Sequence, residues 1–155
     1  MIREIEINDK EAILSILEDS GKFDTEGLAH IEETLNEHLK SGSNGLWYIA
    51  FENKPIGVVY CTPEPLTSGT WNLLMLWIQK EKQGKGYGTA LVKKIEDILV
   101  SKKARLLIVE TSGLDEFKGA RAFYEKYGFR QEARIKDFFE AGDDKLIYTK
   151  SINIK

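Results

Sequence analysis

The 155-residue sequence predicts a single α/β domain on a mixed sheet, in the order strand, two helices, three strands, helix, strand, helix, two strands. Three observations lead there. Apolar residues alternate with period two in some stretches and recur at helical spacing in others, and the two kinds of stretch succeed one another along the chain. A strand-like run over 70–79 ends in a glycine-rich stretch that opens a helix-like run, and a second apolar run follows; a parallel strand, crossover helix and strand have that pattern. The length suits one well-buried core and is short for two domains, and no linker, repeat or low-complexity segment divides it.

The elements follow in order. Residues 2–7 alternate Ile5 and Ile7 with charge, as a half-buried strand does. Ala12, Ile13, Ile16 and Leu17 form one face of a helix over 10–19, closed by Ser20 and Gly21. A second helix over 25–40 carries the stripe Leu28, Ile31, Leu35 and Leu39, with Asp24 or Thr25 as its cap and Ser41-Gly42 as its stop. His30 and His38 lie outside that stripe without a carboxylate partner at useful spacing, and read as surface residues. Strand-like runs over 46–52 and 56–62 flank Asn53-Lys54-Pro55 and predict a hairpin. The strand over 70–79 and a helix with Leu91, Ile95, Ile98 and Leu99 come next. In 105–111, Leu106 to Val109 are continuously apolar, as expected of a central strand covered on both faces. A helix over 120–127 meets a glycine cap at Gly128. Strands over 130–136 and 145–152 close the chain, joined by an aromatic and acidic connection over 137–144.

Gln83-Gly84-Lys85-Gly86-Tyr87-Gly88-Thr89 is the stretch that points to chemistry. Glycines between a strand and a helix allow a sharp turn and leave no Cβ in front of the amides. The first turn of a helix offers unpaired N–H groups at the positive end of its dipole, which suits a phosphate or pyrophosphate, and Lys85 adds a full charge. The spacing excludes a P-loop, because Gly84-Lys85 is followed by Gly86 and not by Ser or Thr. It disfavours a dinucleotide fingerprint, whose third glycine would fall on Thr89 or Leu91.

Gln83, Gly86 and Gly88 do fit Gln-x-x-Gly-x-Gly, and Ala120, Phe123, Tyr124, Gly128 and Phe129 fit Ala-x-x-Phe-Tyr-x-x-x-Gly-Phe. Together, in this order and with a strand between them, they resemble the two signatures of the GNAT superfamily of N-acetyltransferases, and the matching elements span most of the chain. The resemblance implies the GNAT acyl-CoA N-acyltransferase fold and an acetyl-CoA-dependent N-acetyltransferase that moves the acetyl group to a primary amine by direct attack on the thioester. A non-catalytic acyl-CoA binding or sensing module with the same fold is the alternative. One departure stands out: the family often has an Asn, contacting the cofactor, where this chain has Phe117.

The resemblance also distributes roles. The amides of Gly84, Lys85, Gly86, Tyr87, Gly88 and Thr89, beside Gln83, are implied to hold the pyrophosphate, and the backbone of Leu76, Trp77 and Ile78 the pantetheine arm and the thioester carbonyl, where donors fixed in advance stabilise developing charge. Tyr124 is the expected general acid, since a phenol with a pKa of about 10 can protonate a departing thiolate; a core aromatic is the structural alternative, with Phe123 beside it able to fill the core. Glu110, at the end of the central strand, is the best-placed carboxylate for a general base, directly or through water, or else a structural acceptor. Phe23, Glu64, Trp71 and Phe139 are candidate linings of an acceptor site whose aromatic surface and negative charge suit a cationic small-molecule or peptide amine.

Composition bounds the remaining classes. The net charge of −3, with both signs interspersed, argues against nucleic acid. The one cysteine, Cys61, excludes an internal disulfide or a cysteine-clustered zinc site and reads as a small buried hydrophobe. No metal is expected. A segment with neither a signal peptide nor an apolar run of membrane-spanning length predicts a cytoplasmic protein without membrane partners. A homodimer is compatible with the sequence.

Overall fold

The computed structural model describes Met1–Ile152. Its elements are β1 (Ile2–Glu4), α1 (Lys10–Asp19), α2 (Thr25–Ser41), β2 (Leu46–Phe51), β3 (Pro55–Pro63), β4 (Thr70–Ile78), α3 (Tyr87–Ser101), β5 (Leu106–Ser112), α4 (Lys118–Tyr127), β6 (Arg130–Glu140) and β7 (Asp143–Ser151). The seven strands form one mixed sheet in the order β1-β2-β3-β4-β5-β7-β6. Two compact units divide the chain: Met1–Thr62 with Met75–Asp97, and Pro63–Leu74 with Ile98 onward. Strand β4 contributes residues to both.

In the first unit, β1 and β2 pair antiparallel, as do β2 and β3. The expected strand over 2–7 stops at Glu4 because the buried Asp9 carboxylate turns the chain. It accepts the Glu6 amide at 2.7 Å and both prongs of the Arg3 guanidinium at 2.8 and 2.9 Å. A 3₁₀ turn over Ile7–Asp9 results, leaving Ile7 72% exposed while Ile5 stays buried. Helix α2 begins at Asp24, whose side chain accepts the Gly27 amide at 2.7 Å. It ends at Gly42, with φ of 77°. The core gathers Ile5, Ile13, Ile16, Leu17, Leu35, Trp47, Ile49, Val58 and Met75, with Phe23, Leu28, Ile31 and Leu39 packed against it. The helical stripes thus face inward because apolar residues three and four apart share one side of a helix. His38 is half-buried and not a plain surface residue: its Nδ1 lies 2.7 Å from the Ser43 hydroxyl, and burial lowers its pKa.

In the second unit, β4 and β5 run parallel from Thr70↔Leu106 to Leu73↔Val109, and β4 continues to Ile78. Strand β7 pairs antiparallel with both β5 and β6. Paired residues share a face, so Trp71, Leu73, Leu107, Val109, Leu146 and Tyr148 form one side, and all are buried. Helix α4 meets that side, where the Tyr148 phenol donates to Glu125 at 3.4 Å. The opposite side carries Thr70, Asn72 and Leu74 from β4, Leu106, Ile108 and Glu110 from β5, and Lys145 and Ile147 from β7. Leu106, Ile108 and Ile147 are half-buried there, and Leu74 is 53% exposed. Strand β5 is therefore covered on one face and only half-covered on the other, where it lies beside the buried Thr70 and Asn72 of β4. Continuous apolarity predicted two covered faces, but a half-open face lined by isoleucine and leucine has the same sequence signature.

The last two strands run through most of the connection expected over 137–144 and turn at Ala141-Gly142. Side chains carry the bend: Asp144 accepts the Asp137 amide at 3.0 Å and binds Arg134, while Asp137 accepts the Gly142 amide at 2.9 Å. Asp137 itself adopts φ of 55°.

Candidate active site

In the first unit, Gly84 and Gly86 adopt φ of 76° and 92°, and a Cβ on either would meet nothing within 4 Å. Both glycines thus supply a left-handed turn, and the space before them is open. Helix α3 starts at Tyr87, and its first intrahelical bond runs from the Ala90 amide to the Gly86 carbonyl at 3.0 Å. The amides of Tyr87, Gly88 and Thr89 consequently have no intrahelical acceptor, the arrangement that binds phosphate oxygens. Lys85 is exposed and forms no ion pair among the described residues. The Gln83 carboxamide points back, donating to the Ile78 carbonyl at 3.0 Å, and so ties the loop to the end of β4. This open cradle of amides and one cation fits a pyrophosphate-bearing acyl carrier.

The end of β4 is held just as closely. The Gln79 amide donates to the Ile56 carbonyl at 2.8 Å. At Gly57 an added Cβ would lie 3.1 Å from the Trp77 carbonyl oxygen and 2.6 Å from Ile78 Cδ1. A side chain on β3 at this point would push β4 away, so the backbone of Leu76, Trp77 and Ile78 owes its position to a glycine. Leu76 and Trp77 are half-buried and Ile78 buried.

Tyr124 sits in the second unit on α4, 7% exposed, with Phe129 edge-on at 5.6 Å and Phe123 edge-on at 5.4 Å. Phe123 is only half-buried, so the tyrosine is the more enclosed of the pair. Burial drives its pKa well above the ordinary phenol value, which keeps the hydroxyl protonated across the working pH range. Helix α4 is anchored to the end of β5 by Arg121, whose guanidinium donates to the carbonyls of Ser112 and Leu114, each at 2.8 Å. Phe117 occupies the N-cap of α4 and offers no side-chain acceptor there.

The half-open face of the second unit collects the acidic residues. Glu110 accepts from Lys145 Nζ at 2.8 Å, and the same ammonium lies 4.1 Å from the Phe138 ring centroid. Phe139 is 50% exposed and packs edge-on to Phe138 at 5.0 Å, so Phe138, and not Phe139, meets the charged pair. Glu64 receives a hydrogen bond from Asn72 Nδ2 at 2.9 Å. Neither Lys145 nor Asn72 was selected from the sequence. An asparagine inside an apolar strand was the available signal for the second; the first offered none. Of the remaining candidates, Trp71 is 9% exposed on the covered side of β4, and Phe23 packs onto the core of the first unit. Cys61 is fully buried, which pushes its thiol up to about 12. Among the described residues, no helix is long and apolar enough to cross a membrane, and no cluster of His, Cys, Asp and Glu could hold a metal.

Comparisons with known proteins bear on the family and the fold. The family model for the "Acetyltransferase (GNAT) family" matches residues 11–129. The chain is 30% identical to N-alpha-acetyltransferase 30 of Schizosaccharomyces pombe over 104 residues, 65% of this chain and 68% of that protein. A crystal structure from Desulfovibrio desulfuricans assigned to the GNAT acetyltransferases superposes with a TM-score of 0.92 at 30% identity, covering 97% of this chain and 98% of that one. An aminoglycoside 6'-N-acetyltransferase complexed with coenzyme A shares the fold alone, with a TM-score of 0.83 at 17% identity over 100% of this chain and 98% of that one. By sequence and by fold, the chain belongs to the GNAT acetyltransferase family and is an N-acetyltransferase.

Proposed function

We propose that this N-acetyltransferase transfers the acetyl group of acetyl-CoA to the α-amine at the N-terminus of a peptide. The observation that carries the cofactor half is the glycine corner, with its two positive-φ glycines, open approach and unpaired amides at the start of α3. The resemblance to an N-alpha-acetyltransferase supports the acceptor half, and so does proton chemistry. An α-amine with a pKa of about 7.7–8.0 is neutral in roughly one molecule in ten at pH 7, whereas a lysine ε-amine near 10.4 is neutral in about one in a few thousand. Glu110 is already engaged by Lys145 Nζ at 2.8 Å, which leaves less of its carboxylate free for an incoming proton and suits an acceptor that needs little help in losing one.

Acetyl-CoA supplies the thioester; the chain's own groups do the rest. The amides from Gly84 to Thr89 and Lys85 hold the pyrophosphate, and the backbone donors of Leu76, Trp77 and Ile78 receive the thioester carbonyl. Tyr124 delivers its proton to the departing sulfur. Its raised pKa is no obstacle, because the apolar surroundings that disfavour a phenolate disfavour a thiolate as well. Glu110 receives the amine proton directly or through water.

A panel of short peptides differing in their first residue, assayed for released thiol with acetyl-CoA, tests the assignment. Free peptides are expected to release thiol and N-terminally blocked copies are not. Turnover of butylamine or an aminoglycoside without turnover of any free peptide would overturn the acceptor. Wild-type protein that shows neither thiol release nor thermal stabilisation by acetyl-CoA would overturn the whole reading.

A further inference from the structure

Asn72 stands alone as a polar residue in the apolar body of β4 and is 4% exposed. Its Nδ2 donates to Glu64 Oε1 at 2.9 Å, while its Oδ1 is buried without a partner. The amide cannot turn over to relieve this, because an ionised carboxylate only accepts and the flipped amide would set oxygen against oxygen. A buried acceptor left unpaired costs folding free energy, and a leucine of similar size would not incur that cost. Stability alone therefore selects against asparagine at this place.

Glu64 is where that cost leads. Its backbone is pinned on both sides: the amide donates to the Thr70 carbonyl at 2.9 Å, and the carbonyl accepts the Thr67 hydroxyl at 2.8 Å. Its half-buried carboxylate meets the Asn72 amide and no cation among the described residues, in contrast to Glu110, which Lys145 neutralises. Along the same face of β4 the next side chain is Leu74, 53% exposed, and beside Asn72 in register lies the half-buried Ile108. A fixed negative charge without a counterion among the described residues, next to a partly exposed apolar strip, is complementary to an ammonium group carried on an apolar body.

We propose that Glu64 anchors the ammonium of the acceptor amine as it arrives, before its proton is given up, and that Asn72 is the positioning residue that holds its carboxylate in place. This rests on the acetyl-transfer reading above and deepens it. The test compares wild type, Asn72→Leu, Glu64→Gln and the double variant with the best free peptide of the panel, or with butylamine if that is the acceptor used. Asn72→Leu is expected to raise KM for the amine about tenfold with a much smaller change in kcat, while Tm stays level or rises and the shift of Tm with acetyl-CoA stays that of wild type. Glu64→Gln should raise KM similarly, and the double variant should be no worse than Glu64→Gln alone, since the two residues act as one unit.

A Tm that falls by several degrees in Asn72→Leu with KM unchanged would assign Asn72 a purely structural role and overturn the proposal. An unchanged KM in Glu64→Gln would overturn it too. If wild type turns over no amine, the anchor is read by binding: butylammonium chloride must raise the Tm of wild type above sodium chloride at equal ionic strength and must not do so for Glu64→Gln. Equal shifts in both proteins would sink it. Loss of the acetyl-CoA shift in wild type marks instead the failure of the acetyl-transfer reading.

Discussion

Gly86 separates what the glycine corner does for the fold from what it does for the ligand. Its φ of 92° is strained for any side chain, yet a Cβ there meets nothing within 4 Å. Gly86→Ala should therefore destabilise the free protein only through its backbone, by about 1–2 kcal/mol. For a chain of this length, about 2–4 °C of Tm goes with each kcal/mol, so the fall is about 2–8 °C. Acetyl-CoA at about a hundred times its dissociation constant stabilises wild type by about 2.7 kcal/mol, or about 5–11 °C. In Gly86→Asp the backbone cost is similar or smaller, because Asp tolerates positive φ better than most residues, but a carboxylate then stands where the pyrophosphate charge belongs. Differential scanning fluorimetry of both variants with and without acetyl-CoA gives the answer. The free proteins should differ little, and the acetyl-CoA shift should vanish in Gly86→Asp. Gly119→Ala, inside α4 where a Cβ also meets open space, serves as the control and should gain up to about 1 kcal/mol of stability. A Gly86→Asp protein with the full wild-type shift would refute the assignment of this corner to the pyrophosphate.

Tyr124→Phe keeps the edge-on packing against Phe129 and removes the proton, so kcat should fall by about 10²-fold or more, with the acetyl-CoA shift of Tm unchanged. Gly57→Ala forces a methyl to 3.1 Å from the Trp77 carbonyl. An overpacking cost of about 1–3 kcal/mol is expected in denaturant titrations, together with a raised KM for acetyl-CoA. At Asp9, burial works to raise the carboxyl pKa, but the hydrogen bonds from Arg3 and the Glu6 amide outweigh it and hold it below the ordinary value. The stability it contributes is therefore present above pH of about 3.9 and lost as pH falls through the lower folded value. An Arg3→Ala variant should show a smaller loss over that acid window in pH-dependent unfolding. Cys61, with its thiol pushed up to about 12 and no exposed surface, should resist alkylation at pH 8 in the folded protein and react only after denaturant is added.

The glycine corner could be read from the sequence because its requirements are local. Positive φ at Gly84 and Gly86, and unpaired amides at a helix start, depend on residues within one turn of each other. The helix spans were equally legible, since Lys10–Asp19 and Thr25–Ser41 follow directly from stripe, cap and glycine stop. What depended on distant partners was hidden. The apolar run Leu106 to Val109 does not reveal which of its faces is covered; the pairing with β7 and the packing of α4 decide that. The bend over 137–144 looked like a loop because its residues are turn formers, yet Asp137 and Asp144 satisfy the backbone with their own carboxylates and let the strands continue. The partner of Glu110 was hidden for the same reason, since Lys145 lies 35 positions away in the sequence. Asn72 was visible as a letter, but its meaning required the unpartnered oxygen.

Strand β6 ends the sheet, and every one of its residues is exposed, including Ile135 at 44% and Phe138 at 49%. A long bare edge with apolar side chains would ordinarily recruit strands from other chains. Here the ladder to β7 slips between Gln131 and Ala133 and again between Ile135 and Glu140, so the longest regular run is the three residues from Ala133 to Ile135. An incoming strand needs several evenly spaced amides and carbonyls in succession, and this edge supplies them for scarcely one repeat. Straightening it, by replacing Asp137 with a residue that resists positive φ, would convert a soluble edge into a seed for aggregation. The kink that shapes the last hairpin therefore also guards the protein against its own copies at high concentration.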